Sequence, residues 1–186
     1  MKYPTDKYQS GMESVYRELL ARYTTSRDDL SLLEVGVLDG GSLLMFQDML
    51  PKAKIYGTDI LPRPDILPES IVTRVIDQND SAGMTKLAQE AGGFDIVIDD
   101  GSHFAKETRN TFDVLWPFLK EGGVYVVEDW VVGIKEANSA NRSYAEATAG
   151  MDKVVFDIAS RKVELGIKAI EIIVKESWQA YAVFTK

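Results

Sequence analysis

The chain has 186 residues, 45% of them apolar and 27% charged, and no cysteine; this bounds it to one globular domain with a full core and excludes disulfides, thiolate metal sites and cysteine nucleophiles. The formal net charge of −8, with no dense run of lysine or arginine, argues against a nucleic-acid partner. No apolar run reaches the ~20 residues of a membrane span, and the polar start "MKYPTDKYQS" lacks a signal core, which together with the absent cysteine fits a cytoplasmic protein and no membrane partner.

In chain order, Met12, Val15, Tyr16, Leu19, Leu20 and Tyr23 fall at helical spacing and predict an amphipathic helix over 11–24, within an N-terminal helical segment 1–29. The apolar run 30–37 is short, ends at glycines and reads as a buried parallel strand. A helix follows over 41–50, closed by Pro51. Strands are expected at 53–60 and 70–77, joined by a proline-rich loop. Met84, Leu87, Ala88 and Ala91 mark a helix ended by Gly92-Gly93. Strand 94–99, a helix lined by Phe104, Thr108, Phe112, Leu115, Trp116 and Leu119, and strand 123–129 come next. Residues 130–150 have weak periodicity and read as an acceptor-side loop or lid. A helix from Met151 stops at Gly166, and 167–175 and 178–186 form a hairpin about Glu176-Ser177. The alternation predicts an α/β fold: a Rossmann-like, mostly parallel seven-stranded sheet with helices on both faces and an antiparallel C-terminal hairpin, all in one domain, 1–186. That hairpin is the feature of methyl-transferring enzymes rather than of ordinary dinucleotide folds.

Chemistry concentrates at the carboxyl ends of the strands, where open α/β sheets bind ligands. The turn after the first strand has the spacing G-x-x-x-G-G (Gly36, Gly40, Gly41), not the G-x-G-x-x-G of nicotinamide and flavin binders. Glu34 precedes it, where binders of S-adenosylmethionine (SAM) carry an acidic residue that orients the loop and the methionine ammonium. Asp59 ends the second strand, placed to accept from ribose hydroxyls, and Asp77-Gln78 end the third, near an adenine. Asp100 ends strand four, and Glu128-Asp129 end strand five. If strands four and five are neighbours they lie ~4.8 Å apart, which brings these three carboxylates to one spot. They repel unless a cation sits among them, and an all-oxygen donor set favours Mg²⁺ over zinc; a solvated acidic rim is the plain alternative. His103, the one histidine, lies on the "DDGSH" turn at the mouth of this edge. It is either a turn residue or a general base for an alcohol nucleophile.

Together "EVGVLDGGSL", "GTDI", "DQND", "FDIVIDDGSH" and "EGGVYVVEDW" resemble the metal-dependent sugar O-methyltransferases of the macrocin and mycinamicin type, as does "TDKYQSGMESVYRELL" at the N-terminus. The resemblance covers roughly residues 5 to 130, and "IDDGSH" followed by "VED" is its most specific part. It implies that Asp100, Glu128 and Asp129 are metal ligands, with His103 the general base acting beside Asp100. It puts Glu34, Gly36, Gly40, Ser42, Asp59, Asp77 and Gln78, with Asp99, in the SAM site. SAM and a Mg²⁺-like ion are the implied cofactors, and a glycosylated or polyhydroxylated small molecule in natural-product or antibiotic biosynthesis is the implied acceptor. A catechol or phenol acceptor, a non-catalytic SAM-binding module and an NAD-linked oxidoreductase are the competing readings. Two departures touch the acceptor side: the family's histidine after "TDK" is absent, and the segment between strand five and the hairpin is short. Trp130, Tyr144 and Trp178 are candidates for the acceptor pocket, the core or a homo-oligomer interface.

Overall fold

The computed structural model describes residues 3–8, 11–24, 29–62, 64–138, 140–174 and 180–186. The chain runs from a 3₁₀ turn, Asp6–Tyr8, through α1 (Met12–Thr24), β1 (Ser31–Val35), α2 (Gly41–Met49), β2 (Lys54–Asp59), β3 (Val72–Val75), α3 (Ser81–Ala91), β4 (Phe94–Asp99), α4 (Ala105–Leu115) and β5 (Leu119–Glu128). Four helices follow, α5 (Val132–Lys135), α6 (Arg142–Thr148), α7 (Met151–Ser160) and α8 (Lys162–Leu165), before β6 (Ala169–Val174) and β7 (Ala180–Thr185). The seven strands form one sheet in the order β3-β2-β1-β4-β5-β7-β6. The first five pair in parallel; β7 lies antiparallel between β5 and β6. Strand order reverses between β1 and β4, where Val35 pairs with Asp99, which opens a ligand crevice beyond those two strand ends.

Period-two alternation along the strands divides the core. Leu32, Ile55, Ile98 and Val126 meet α1 and α2 through Tyr16, Leu20, Leu43 and Phe46 on one face. Leu33, Val97, Tyr125 and Val127 meet α3, α4 and α7 through Leu87, Phe112 and Val155 on the other. No helix among the described residues is long and apolar enough to cross a membrane.

Three expectations need adjustment. β3 is four residues long, Val72–Val75, because it is an edge strand with Arg74 and Val75 exposed. β5 begins at Leu119 rather than Gly123, with a register shift against β4 between Phe94 and Ile96. The expected loop 130–150 holds α5, α6 and a 3₁₀ turn, Glu136–Asn138. These helices are too short for a visible 3.6-residue period, and their signals are local: the Asn141 side chain caps α6 by accepting from the Tyr144 N–H, and Gly150 turns left-handed before α7. The hairpin's proposed turn, Glu176-Ser177, and Trp178 lie outside the described residues.

Candidate active site

A cavity of about 920 Å³ opens at the crevice. Its floor is the glycine loop after β1. Gly36 has φ +91°, and a Cβ there would lie 2.0 Å from the Asp100 carbonyl oxygen, so only glycine lets the "DDGSH" turn cross over the loop. The Gly36 N–H donates to the Thr58 carbonyl and the Asp100 N–H to the Val35 carbonyl, at 2.8 and 2.9 Å. Asp59 organises the same loop: its carboxylate accepts from the N–H groups of Val37 (2.7 Å), Leu38 (2.9 Å) and Leu61 (2.8 Å). A carboxylate has about four acceptor positions, so most of Asp59 is spent on backbone. It still lines the cavity, as do Gly36 and Ser42, while Glu34 and Gly40 are not among the residues that line it. Ser42 Oγ donates to Glu34 Oε2 at 2.6 Å, and Glu34 Oε1 is buried without a hydrogen bond. Burial pushes the Glu34 carboxyl up to about 8.

The third strand's end supports the turn that carries His103. The Gln78 amide donates to Asp99 Oδ1 (3.0 Å) and Thr111 Oγ1 (3.1 Å) and accepts from the Ser102 N–H (2.8 Å). Its amide is thus committed to protein partners on β4, α4 and the turn, although it borders the cavity. Asp99 is buried behind it, which raises its carboxyl to about 7. Asp77 is exposed at the rim and accepts from the Asn79 N–H at 2.7 Å.

The acidic edge contains a cation of the chain's own. Lys7, 1% exposed, places its ammonium 2.5 Å from Asp100 Oδ2, 2.9 and 3.1 Å from the two Glu128 oxygens and 3.8 Å from Glu34 Oε1. The Tyr16 hydroxyl also donates to Glu128 Oε1. Burial works against the Lys7 charge, but Asp100, Glu128 and Glu34 outweigh it and hold its pKa above the usual lysine value. Burial, and after it Asp100, pushes the Glu128 carboxyl well up. The expected trio of ligands is therefore split. Glu128 faces Lys7, whereas Asp100, His103 and Asp129 each offer a ligand atom within 4.8 Å of one another. His103 Nε2 lies 3.8 Å from Asp100 Oδ1. Asp129 Oδ1 is buried with no hydrogen-bond partner, and burial raises this carboxyl to about 6 despite the neighbouring His103. An orphaned carboxylate oxygen beside a second carboxylate and an imidazole suits a hard divalent cation. His103 and Asp129 both sit at positive φ, +57° and +51°, as does Leu38 at +46°; all three line the cavity.

Two residues of this arrangement, Lys7 and Tyr16, are not assigned to the site from the sequence, where Tyr16 reads only as part of a helix face. The available signal was charge balance: carboxylates converging at buried strand ends require a cation, and Lys7 stands in the "TDK" segment.

The family profile described as "Methyltransferase domain" matches residues 33–130. Demethylmacrocin O-methyltransferase of Streptomyces fradiae is 40% identical over 109 residues, covering 55% of this chain and 28% of the relative. The 8-demethyl-8-(2-methoxy-alpha-L-rhamnosyl)-tetracenomycin-C 3'-O-methyltransferase of Streptomyces olivaceus is 41% identical over 90 residues, 48% of this chain and 23% of the relative. Among solved structures, the MycE methyltransferase of the mycinamycin biosynthetic pathway, in complex with Mg, SAH and mycinamycin VI, superposes with a TM-score of 0.72 at 29% identity, covering 93% of this chain and 48% of that one. The chain thus spans about a quarter of the length of these curated relatives and about half of the solved one.

Proposed function

We propose, from the premise that this chain belongs to the methyltransferase-domain family, that it moves a methyl group from SAM to a hydroxyl of a glycosylated or polyhydroxylated small molecule. The observation that carries this reading is the group Asp100, His103 and Asp129, within 4.8 Å of one another, on the wall of the cavity that also takes in the glycine loop and Asp59. When bound, SAM supplies a methyl group already activated on its sulfonium, and a Mg²⁺-like ion supplies positive charge for acceptor oxygens.

This chain's residues do the rest. Gly36, Ser42, Asp59, Asp77 and Gln78 border the space for SAM; Glu34 and Asp99 hold Ser42 and Gln78 of that border by hydrogen bonds, and Gly40 belongs to the glycine loop beside it. Asp100 and Asp129, with His103 adjoining, are the residues that would hold the ion. Glu128 joins them only by leaving Lys7. His103 Nε2 takes the proton of the attacking hydroxyl, and Asp100 Oδ1, 3.8 Å away, stabilises the imidazolium so formed. Alignment of the acceptor oxygen with the methyl carbon is the remaining requirement. A sugar-bearing acceptor is supported by the rhamnosyl substrate in the name of one relative and by mycinamycin VI in the solved complex.

The test uses methyl α-L-rhamnopyranoside and isotopically labelled SAM, with Mg²⁺ or with excess EDTA. Label is expected in the glycoside with Mg²⁺ and not with EDTA, while calorimetry shows SAM bound in both. Equal transfer in EDTA removes the metal from the reading; absence of SAM binding removes the enzyme.

A further inference from the structure

The N-terminal segment forms part of the cavity wall. Pro4, Thr5, Asp6 and Lys7 all line it, and the backbone is packed so closely that a Cβ on Gly41 would lie 2.0 Å from the Pro4 carbonyl oxygen. From this segment Lys7 reaches carboxylates on three central strands or their ends: Glu34 on β1, Asp100 after β4 and Glu128 on β5. It takes both oxygens of Glu128 but only Oδ2 of Asp100. The other oxygen, Oδ1, is the one near His103.

We infer that Lys7 is a positioning residue that sets the affinity of the divalent site. Its ammonium reserves Glu128 and half of Asp100, and by like-charge repulsion it opposes a second cation beside them. The inference rests on the divalent-ion reading given above. Lysine suits this task because its ammonium is a compact point charge with three donors; here it donates to Asp100 and to both oxygens of Glu128, with Glu34 3.8 Å away. The consequence is counterintuitive. Removing Lys7 leaves the carboxylates in place, takes away a positive charge that shares Asp100 with the ion and frees Glu128 as a further ligand. The site then binds a divalent cation more tightly. A merely structural lysine predicts the opposite, since a loosened edge binds an ion less well.

The experiment is Mn²⁺ titration of the whole chain at pH 8, by calorimetry, on wild type, Lys7→Met, Lys7→Gln and the double variant Lys7→Met/Glu128→Gln, with circular dichroism as the check on folding. Lys7→Met is expected to lower the Mn²⁺ Kd roughly tenfold or more, the scale of removing one repelling charge a few ångströms away in a partly buried setting. Lys7→Gln, which removes the charge and leaves an N–H donor on a shorter side chain, should follow it, and the double variant should lose most of the gain. An unchanged or higher Kd in a folded Lys7 variant overturns the inference. No Mn²⁺ binding in any of the proteins overturns the metal reading as well, so the two failures are distinguishable. Should both single variants unfold, the wild type still decides, through the ¹⁵N signal of its buried lysine ammonium. Mg²⁺ is expected to shift that signal, because the ion and the ammonium share Asp100; a signal indifferent to saturating Mg²⁺ rejects the coupling.

Discussion

Replacing Asp59 with alanine separates two roles that a carboxylate at the end of β2 can have. A group that only holds ribose affects SAM affinity and leaves folding alone. The geometry says more, because the carboxylate accepts from three backbone N–H groups, of Val37, Leu38 and Leu61. Alanine leaves all three donors without that acceptor. Hydrogen bonds to a charged group contribute about 1.5–3 kcal/mol each when buried, and solvent reaches this rim and replaces part of the loss, so a net destabilisation of about 2–3 kcal/mol is expected. For a chain of this size each kcal/mol shifts Tm by roughly 2–4 °C, which gives a fall of about 4–12 °C. SAM binding should weaken in parallel, since Val37 and Leu38 lie in the loop that must be preformed. The assay is a thermal melt with calorimetric SAM titration on the same preparation. A melting temperature within about 1 °C of wild type refutes the loop-holding role; weakened SAM binding at unchanged Tm leaves the ribose role alone.

Gly36→Ala should prevent stable folding or lower Tm severely, because the added carbon meets the Asp100 carbonyl at 2.0 Å; a near-normal melt would mean that the turn crosses elsewhere. His103→Ala should reduce turnover about 10²–10⁴-fold with SAM affinity retained, whereas preserved turnover per folded molecule assigns the histidine to the turn. Asp95, buried on β4 at the sheet's far end, accepts from Lys120 Nζ and from the Ser31 N–H and hydroxyl. Burial alone would raise its carboxyl, but the Lys120 and Ser31 hydrogen bonds win and hold it below the usual value. A depressed folded value stabilises the fold above the unfolded pKa of ~3.9 and is lost as pH falls through the folded value. Wild type should therefore exceed Asp95→Asn in chemical-denaturation stability at neutral pH, with the gap closing in acid; a gap that is constant with pH would refute the linkage.

The parallel strands were legible because each is a short apolar run bounded by glycine or polar turns, and the antiparallel β6–β7 pair because two β-rich runs close the sequence without a helix between them; that β7 rather than β6 lies against β5 was not legible. The short helices of 130–150 were not, since Val132–Lys135 and Arg142–Thr148 offer too few turns for periodicity. At the site, the residue types at strand ends were legible and their partners were not. Gln78 reads as an adenine contact from its place after β3, yet its amide is consumed by Asp99, Thr111 and Ser102, contacts between segments 21 to 33 residues apart that no local pattern encodes. Lys7 to Glu128 spans 121 residues. Only a demand for charge neutrality points across such a distance, and it names no particular lysine.

The place of β7 in the sheet has a bearing on how the molecule forms. It is inserted between β5 and β6 although it follows both in the chain. While a ribosome is still making the residues before Ala180, β5 has a partner on its β4 side only, and its other edge presents unpaired backbone along Val124, Val126 and Val127, all wholly buried in the finished fold. Such an edge is a template for pairing with another nascent chain. The strand that carries Glu128 thus depends for its closure on β7, which is made after it, through contacts between β5 and β7 that lie more than fifty residues apart in sequence.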